Sequence, residues 1–234
     1  MAPRISAGAD QITRALNIYY FGASRLMAYV NLAVATKLDR ANQIVTDLGT
    51  SGLMKLYTGS IPASPDIPTT GMLLAALPLA PVAAVVSMGV QKAIVSDPGS
   101  GGVDGSYGLV FDGGGGEGAA GHFIVTAGVI ASVVISATGS GYATVPTISG
   151  FANAGLTGGA LTPVMTAIIE FNPMMTATAS GSGMIGLARF TTAGDVPILD
   201  LDVGSTNDYS VLTNNVNIVE GGAVACSAEV LIEL

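Results

Sequence analysis

The residues equipped for chemistry are few and far apart. Gly181-Ser182-Gly183-Met184-Ile185-Gly186 has the G-x-G-x-x-G spacing that lets backbone approach a dinucleotide pyrophosphate, and Asp200 or Asp202 follows about where a ribose-binding acid belongs. That site needs a helix directly after its glycines, whereas Leu187-Ala188-Arg189-Phe190-Thr191 reads as a strand. The glycine run 113–116 lacks a following Gly-Lys-Ser/Thr and lies in acidic surroundings, so it reads as a turn rather than a phosphate cradle. His122 is the sole histidine, which leaves no material for a His-based triad or a multi-histidine metal site. It opens the strand-like run Phe123-Ile124-Val125, where a surface or hydrogen-bonded histidine is the ordinary case. Cys226 is the sole cysteine, in Val224-Ala225-Cys226-Ser227-Ala228, and reads as a small buried hydrophobe. Asp195, Asp200, Asp202 and Asp208 carry oxygens suited to Ca²⁺, but no twelve-residue loop closed by a Glu is present. They read as solvated strand edges, as do Asp112 and Glu117 beside the glycine turn. No catalytic, cofactor-binding or metal-ligating residue is assigned, and the chain is not expected to be an enzyme.

The composition points to a different kind of protein. Half of the 234 residues are apolar and only 10% are charged, against about 25% in an ordinary soluble domain. So apolar a chain must bury surface, which excludes disorder, and its 32 glycines follow no triplet period, which excludes collagen. An assembly subunit covered by its neighbours fits these numbers. The charges are also segregated. Residues 1–55 hold six basic groups against three acidic ones, while residues 56–234 hold only Lys92 and Arg189 against thirteen acids. So acidic a body would repel phosphate, so nucleic acid is not an expected partner.

The elements follow from periodicity. Residues 1–23 form an irregular basic arm ending in Tyr19-Tyr20-Phe21, an aromatic cluster able to plug a groove on a partner. From Ser24, a capping residue, to Gly49, a terminating one, Met27, Val30, Val34, Leu38, Ala41, Ile44 or Val45, and Leu48 make one apolar helical stripe. Lys37 and the other charged residues fall mostly off it. Residues 71–91 are uncharged over a length that could span a membrane, yet Pro78 and Pro81 divide them into two buried strands. Asp10 and Arg14 interrupt any signal-peptide pattern. Short runs at 167–171, 184–191, 197–203, 209–218 and 223–234, split by turns, predict a mainly β protein: an antiparallel sandwich or jelly-roll body with an arm and one long helix. Within them Leu199-Asp200-Leu201-Asp202-Val203 alternates, one face apolar and one acidic. The segment 97–166 differs. Gly99-Ser100-Gly101 returns as Gly139-Ser140-Gly141, and each copy leads through a short apolar run into a glycine-rich turn. Two copies do not make a solenoid, so the segment is a small β insertion. The divisions are 1–48 (arm and helix), 49–96 with 167–234 (body), and 97–166 (insertion).

Several of these stretches resemble a family of tailed-phage virion proteins. The match rests on Leu56-Tyr57-Thr58-Gly59, Ile61-Pro62-Ala63-Ser64-Pro65-Asp66 and Gly71-Met72-Leu73-Leu74-Ala75. Further on it rests on Leu187-Ala188-Arg189-Phe190-Thr191, Asp200-Leu201-Asp202-Val203-Gly204 and Val219-Glu220-Gly221-Gly222-Ala223-Val224. Gly139-Ser140-Gly141-Tyr142, with Pro146-Thr147-Ile148, is similar to repeats common in phage structural proteins, although the first copy has Gly102 in place of the tyrosine. The resemblance implies a virion component on the capsid exterior, and the expected role is a capsid decoration or cement subunit contacting the major capsid protein and its own copies, with closed symmetry making a trimer the expected assembly. The arm residues Arg4, Arg14, Tyr19, Tyr20, Phe21 and Arg25 are then the expected contacts, and Gly113, Gly114, Gly139 and Tyr142 mark an outward-projecting insertion. The alternatives are a head–tail adaptor, or a tail or fibre module whose insertion meets a host-surface glycan.

Overall fold

A computed structural model describes residues 32–173, 176–206, 210–213 and 215–232, with side chains to Ala228. The arm residues Arg4, Arg14, Tyr19, Tyr20, Phe21 and Arg25, the helix start at Ser24, and Asp208 lie outside the described residues.

The protein is mainly β, with several antiparallel sheets. Helix α1 (Val34–Leu48) passes through a short 3-10 turn into β1 (Leu53–Tyr57), then β2 (Leu73–Pro78) and β3 (Ala84–Asp97). The insertion carries β4 (Gly105–Gly108), β5 (Val110–Asp112), β6 (Glu117–Thr126), β7 (Val129–Ser140) and β8 (Thr147–Ser149). The chain returns through β9 (Ala160–Phe171), β10 (Ala177–Thr178), β11 (Gly183–Met184), β12 (Leu187–Thr191) and β13 (Pro197–Leu201). It ends with β14 (Val203–Gly204), β15 (Val211–Thr213), β16 (Asn217–Ile218), β17 (Ala223–Val224) and β18 (Cys226–Ile232).

Two sheets build the body, one ordered β13-β12-β1-β2 and the other β14-β15-β18-β9-β3. Period-2 alternation sends Met54 and Leu56 of β1, Ala75 and Leu77 of β2, and Ala188 and Phe190 of β12 into one apolar core, and Leu74, the extra residue at a register shift between β1 and β2, joins them. Ala167, Ile169 and Phe171 of β9 join them from the second sheet, and Phe171 and Phe190 meet with ring centroids 4.5 Å apart. The uncharged stretch 71–91 is the two strands expected, with Leu74, Leu77 and Ala84 all in this core. No helix among the described residues is long and apolar enough to cross a membrane.

The helix needs two corrections. Leu32 and Ala33 are not helical, so the stripe that reads on without interruption from Met27 belongs to α1 only from Val34. Lys37 lies on the buried stripe rather than off it, three residues after Val34 and four before Ala41, and is only 3% exposed. Its stem packs while its Nζ reaches Gln91 Oε1 at 3.5 Å. Gln91 is the extra residue where the pairing of β3 with β9 shifts register. The helix stops where Gly49 takes φ +65°, the left-handed conformation glycine adopts without strain.

β3 and β9 form one ribbon paired from Ala84↔Phe171 to Asp97↔Ala160. Asp97 and residues 160–166, assigned above to the insertion, therefore belong to the two strands of this ribbon, and the excursion is 98–159. It has its own core of Phe123, Val125, Ile130 and Leu156, with Tyr107 stacked on Phe123 at 5.5 Å and Phe151 against it at 5.4 Å. The apolar runs of the two repeat copies pair with each other, Phe111 opposite Ile148. The repeated Gly-Ser-Gly triplets differ in setting: Ser100 bridges Thr157 in a loop, while Ser140 ends β7.

Tyr142 does not project. It is 3% exposed, packs with Val90 and Met165, and joins Met88 through two backbone hydrogen bonds of 3.2 Å. The glycine turn exists to cover it. A Cβ at Gly114, whose φ is +74°, would stand 2.8 Å from the tyrosine ring, and one at Gly116 2.5 Å from it. Gly139 is likewise enclosed against Ala119 and Glu117, so only Gly113 of the four residues assigned to the projection has open space around it.

Candidate functional site

Among the described residues of the body, one cluster of charges arises from strand alternation. The faces of β1 and β12 turned away from the core carry Lys55 and Tyr57, and Arg189 and Thr191. Register sets Lys55 directly opposite Arg189, and Arg189 directly opposite Asp200 of β13. Two cations facing each other across a ladder repel, and each is held by its own carboxylate. Lys55 Nζ lies 2.7 Å from Asp195 Oδ1. Arg189 donates from Nε to Asp200 Oδ1 at 2.7 Å and from NH2 to Oδ2 at 2.6 Å, a bidentate fork. The Arg189 and Asp200 side chains are only 8% and 3% exposed. The hydrogen bond to Asp200 raises the guanidinium pKa, against the lowering effect of burial.

The same arginine holds a roof over this face. Its NH2 also donates to the Ile67 carbonyl at 3.0 Å, within a loop (59–71) whose ends are tied by Thr58 N to Met72 O at 3.0 Å and Met72 N to Thr58 Oγ1 at 2.9 Å. Inside the loop Ile67 N bonds Ser64 O at 3.0 Å, closing a turn around Pro65 and Asp66. Between roof and sheet lies an open cleft of about 350 Å³. Lys55, Tyr57, Arg189 and Thr191 floor it; Pro65, Asp66 and Pro68 come from the roof, and Asp195 and Pro197 from the β12–β13 turn. In that turn Thr192 N bonds Val196 O at 2.9 Å and Asp195 N bonds Thr192 O at 3.1 Å, which puts Asp195 at φ +65°, a conformation Asp tolerates better than most residues. Thr191 Oγ1 is buried and has no hydrogen-bond partner among the described residues.

Of the acidic quartet, the three described members are not brought together. Asp195 serves Lys55, Asp200 is buried against Arg189, and Asp202 Oδ1 accepts the Ser210 N–H at 3.0 Å. The acidic face of 199–203 is thus not a solvated edge: Asp200 is enclosed because a buried arginine stands opposite it. No group of three His, Cys, Asp or Glu side chains among the described residues is arranged to hold a metal ion. His122 is half-buried in β6 between Gly108 and Val134. After Gly181–Gly186 the chain enters strand β12, where a dinucleotide site would need a helix. Cys226 is half-buried rather than fully enclosed, and burial pushes its thiol pKa up. Asp112 Oδ2 accepts from Ser149 Oγ at 3.2 Å, and Glu117 is exposed.

Reading motifs missed Lys55, Tyr57 and Arg189. The signal was there: Arg189 is the only basic residue after Lys92, and it sits inside an apolar strand, where a charge requires a partner. No family model, no curated protein and no solved structure matches the chain.

Proposed function

We propose that this protein is a structural virion subunit: a capsid decoration or cement protein on the capsid exterior, binding the major capsid protein and its own copies as a trimer. The observation that carries the reading is the surface. Among the described residues fourteen large hydrophobic side chains are exposed, including Val82 at 65%, Val103 at 66%, Met184 at 64% and Val219 at 70%. Single exposed apolar residues are normal, but this many, on a chain with 10% charge, favour burial against neighbours. The resemblance to phage virion proteins points the same way. The basic arm would dock on the acidic body of a neighbour, with Tyr19, Tyr20 and Phe21 as anchors and Arg4, Arg14 and Arg25 as charge partners. The chemistry in such a role is adhesion rather than catalysis.

A tail or fibre module binding a host-surface glycan is the second reading, favoured by the cleft beside Tyr57; a head–tail adaptor is the third. Quantitative mass spectrometry of purified particles separates them. Lattice symmetry gives a decoration protein on the order of hundreds of copies per virion, and a tail or vertex part a handful to dozens. A count in the lower range refutes the decoration reading.

A further inference from the structure

We propose that the cleft between the 59–71 loop and the outer face of β1 and β12 binds an uncharged carbohydrate unit. Its volume, about 350 Å³, lies in the range of small-ligand sites. Its walls combine two kinds of surface. Tyr57, Pro65, Pro68 and Pro197 supply apolar ring surface suited to the C–H side of a sugar, while Lys55, Asp66 and Asp195 supply donors and acceptors suited to its hydroxyls.

The charge pattern selects the ligand class. Lys55 is matched by Asp195 and Arg189 by Asp200, which leaves Asp66 as the odd charge. A phosphate or acidic sugar would meet the carboxylates of Asp66 and Asp195, and a cation would meet two basic groups. A neutral polyhydroxylated molecule uses both signs without carrying either. Asp195 is placed for this: its side chain is 64% exposed, and only its Oδ1 is committed to Lys55. The site is also preformed. Arg189 pins the roof through the Ile67 carbonyl, so a ligand need not pay to order the loop.

This site is on the body, apart from the insertion, and does not rest on the decoration reading. The test uses the full chain with D-glucose, D-galactose, D-mannose and N-acetyl-D-glucosamine and their short oligosaccharides, followed by saturation-transfer NMR and titration calorimetry. N-acetylneuraminic acid and inorganic phosphate serve as charged comparisons. At least one neutral sugar should bind saturably, and Asp66→Ala and Asp195→Asn should each weaken it about tenfold, with Glu117→Ala in the insertion leaving it unchanged. Asp66 is on an exposed turn and Asn tolerates the Asp195 backbone, so urea melts should report both variants folded. The proposal is overturned if no neutral sugar binds saturably, if a charged probe binds better, or if binding survives both cleft variants or is lost in Glu117→Ala.

Discussion

Removing the Asp200 carboxylate tests whether the outer face of the sheet is held by its ion pair. In Asp200→Ala, Arg189 stays at the centre of the sheet, opposite Lys55, with two forked bonds of 2.7 and 2.6 Å broken. The pair is almost fully enclosed, so solvent screening does not discount it, and stripping one partner from a buried pair costs about 3–5 kcal/mol. With a urea slope of about 3 kcal/mol/M, the midpoint should fall by roughly 1 to 1.7 M. Replacing both residues, Arg189→Met with Asp200→Leu, removes the charge instead of stranding it and should recover most of that loss. The double variant also frees the Ile67 carbonyl. Thermolysin, which cuts before large apolar residues, should then cleave at Ile61 or Ile67 faster than in the native chain, while Asp200→Ala keeps the roof contact. A midpoint shift below about 0.3 M for Asp200→Ala, equivalent to about 1 kcal/mol at that slope, refutes the reasoning, as does a double variant no better than the single one.

Two further outcomes follow from buried groups. Thr191→Val replaces a buried hydroxyl that has no partner among the described residues with a methyl of the same shape, and should raise stability by about 1 kcal/mol in urea melts; a destabilised variant would show that the hydroxyl is satisfied in solution. Because burial raises the Cys226 pKa, the folded protein holds this proton where an unfolded thiol loses it. Its contribution to stability should therefore be level below about pH 8.5 and decline as pH rises above it, a decline that Cys226→Ala abolishes; identical pH profiles for the two proteins would contradict it.

How much of this was legible in the sequence depends on range. The strands of 71–91 were readable because two prolines cut an apolar run, a local signal, and β12 was readable as a strand after a glycine motif that demands a helix. The cleft was not, since it depends on register. Lys55 and Arg189 are 134 positions apart and meet only because β1 pairs antiparallel with β12. Tyr142 failed for the same reason: it looks like a repeat residue on a glycine-rich knob, and only the bridge to Met88 on β3 turns it inward. The glycines around it carried a readable clue that was read the wrong way. A run of small residues marks either a mobile turn or backbone packed tightly on something large, and composition alone does not distinguish them.

Charge scarcity changes meaning once these contacts are placed. After Lys92 the chain has one basic residue, and it is committed inside the fold to Asp200 and Ile67. Lys55 is tied to Asp195, and Lys37 lies buried beside Gln91. Of the body's three cations, Lys55 and Arg189 are committed internally and only Lys92 stands exposed, so the surface it offers is mostly acidic and apolar. A partner for that surface must supply basic and apolar groups of its own. Within this sequence the richest source of both is residues 1–25, with Arg4, Arg14 and Arg25 around Tyr19-Tyr20-Phe21. The arm docking proposed above would therefore need no second protein to satisfy the charge balance, and raising ionic strength should weaken it by screening the exposed pairs.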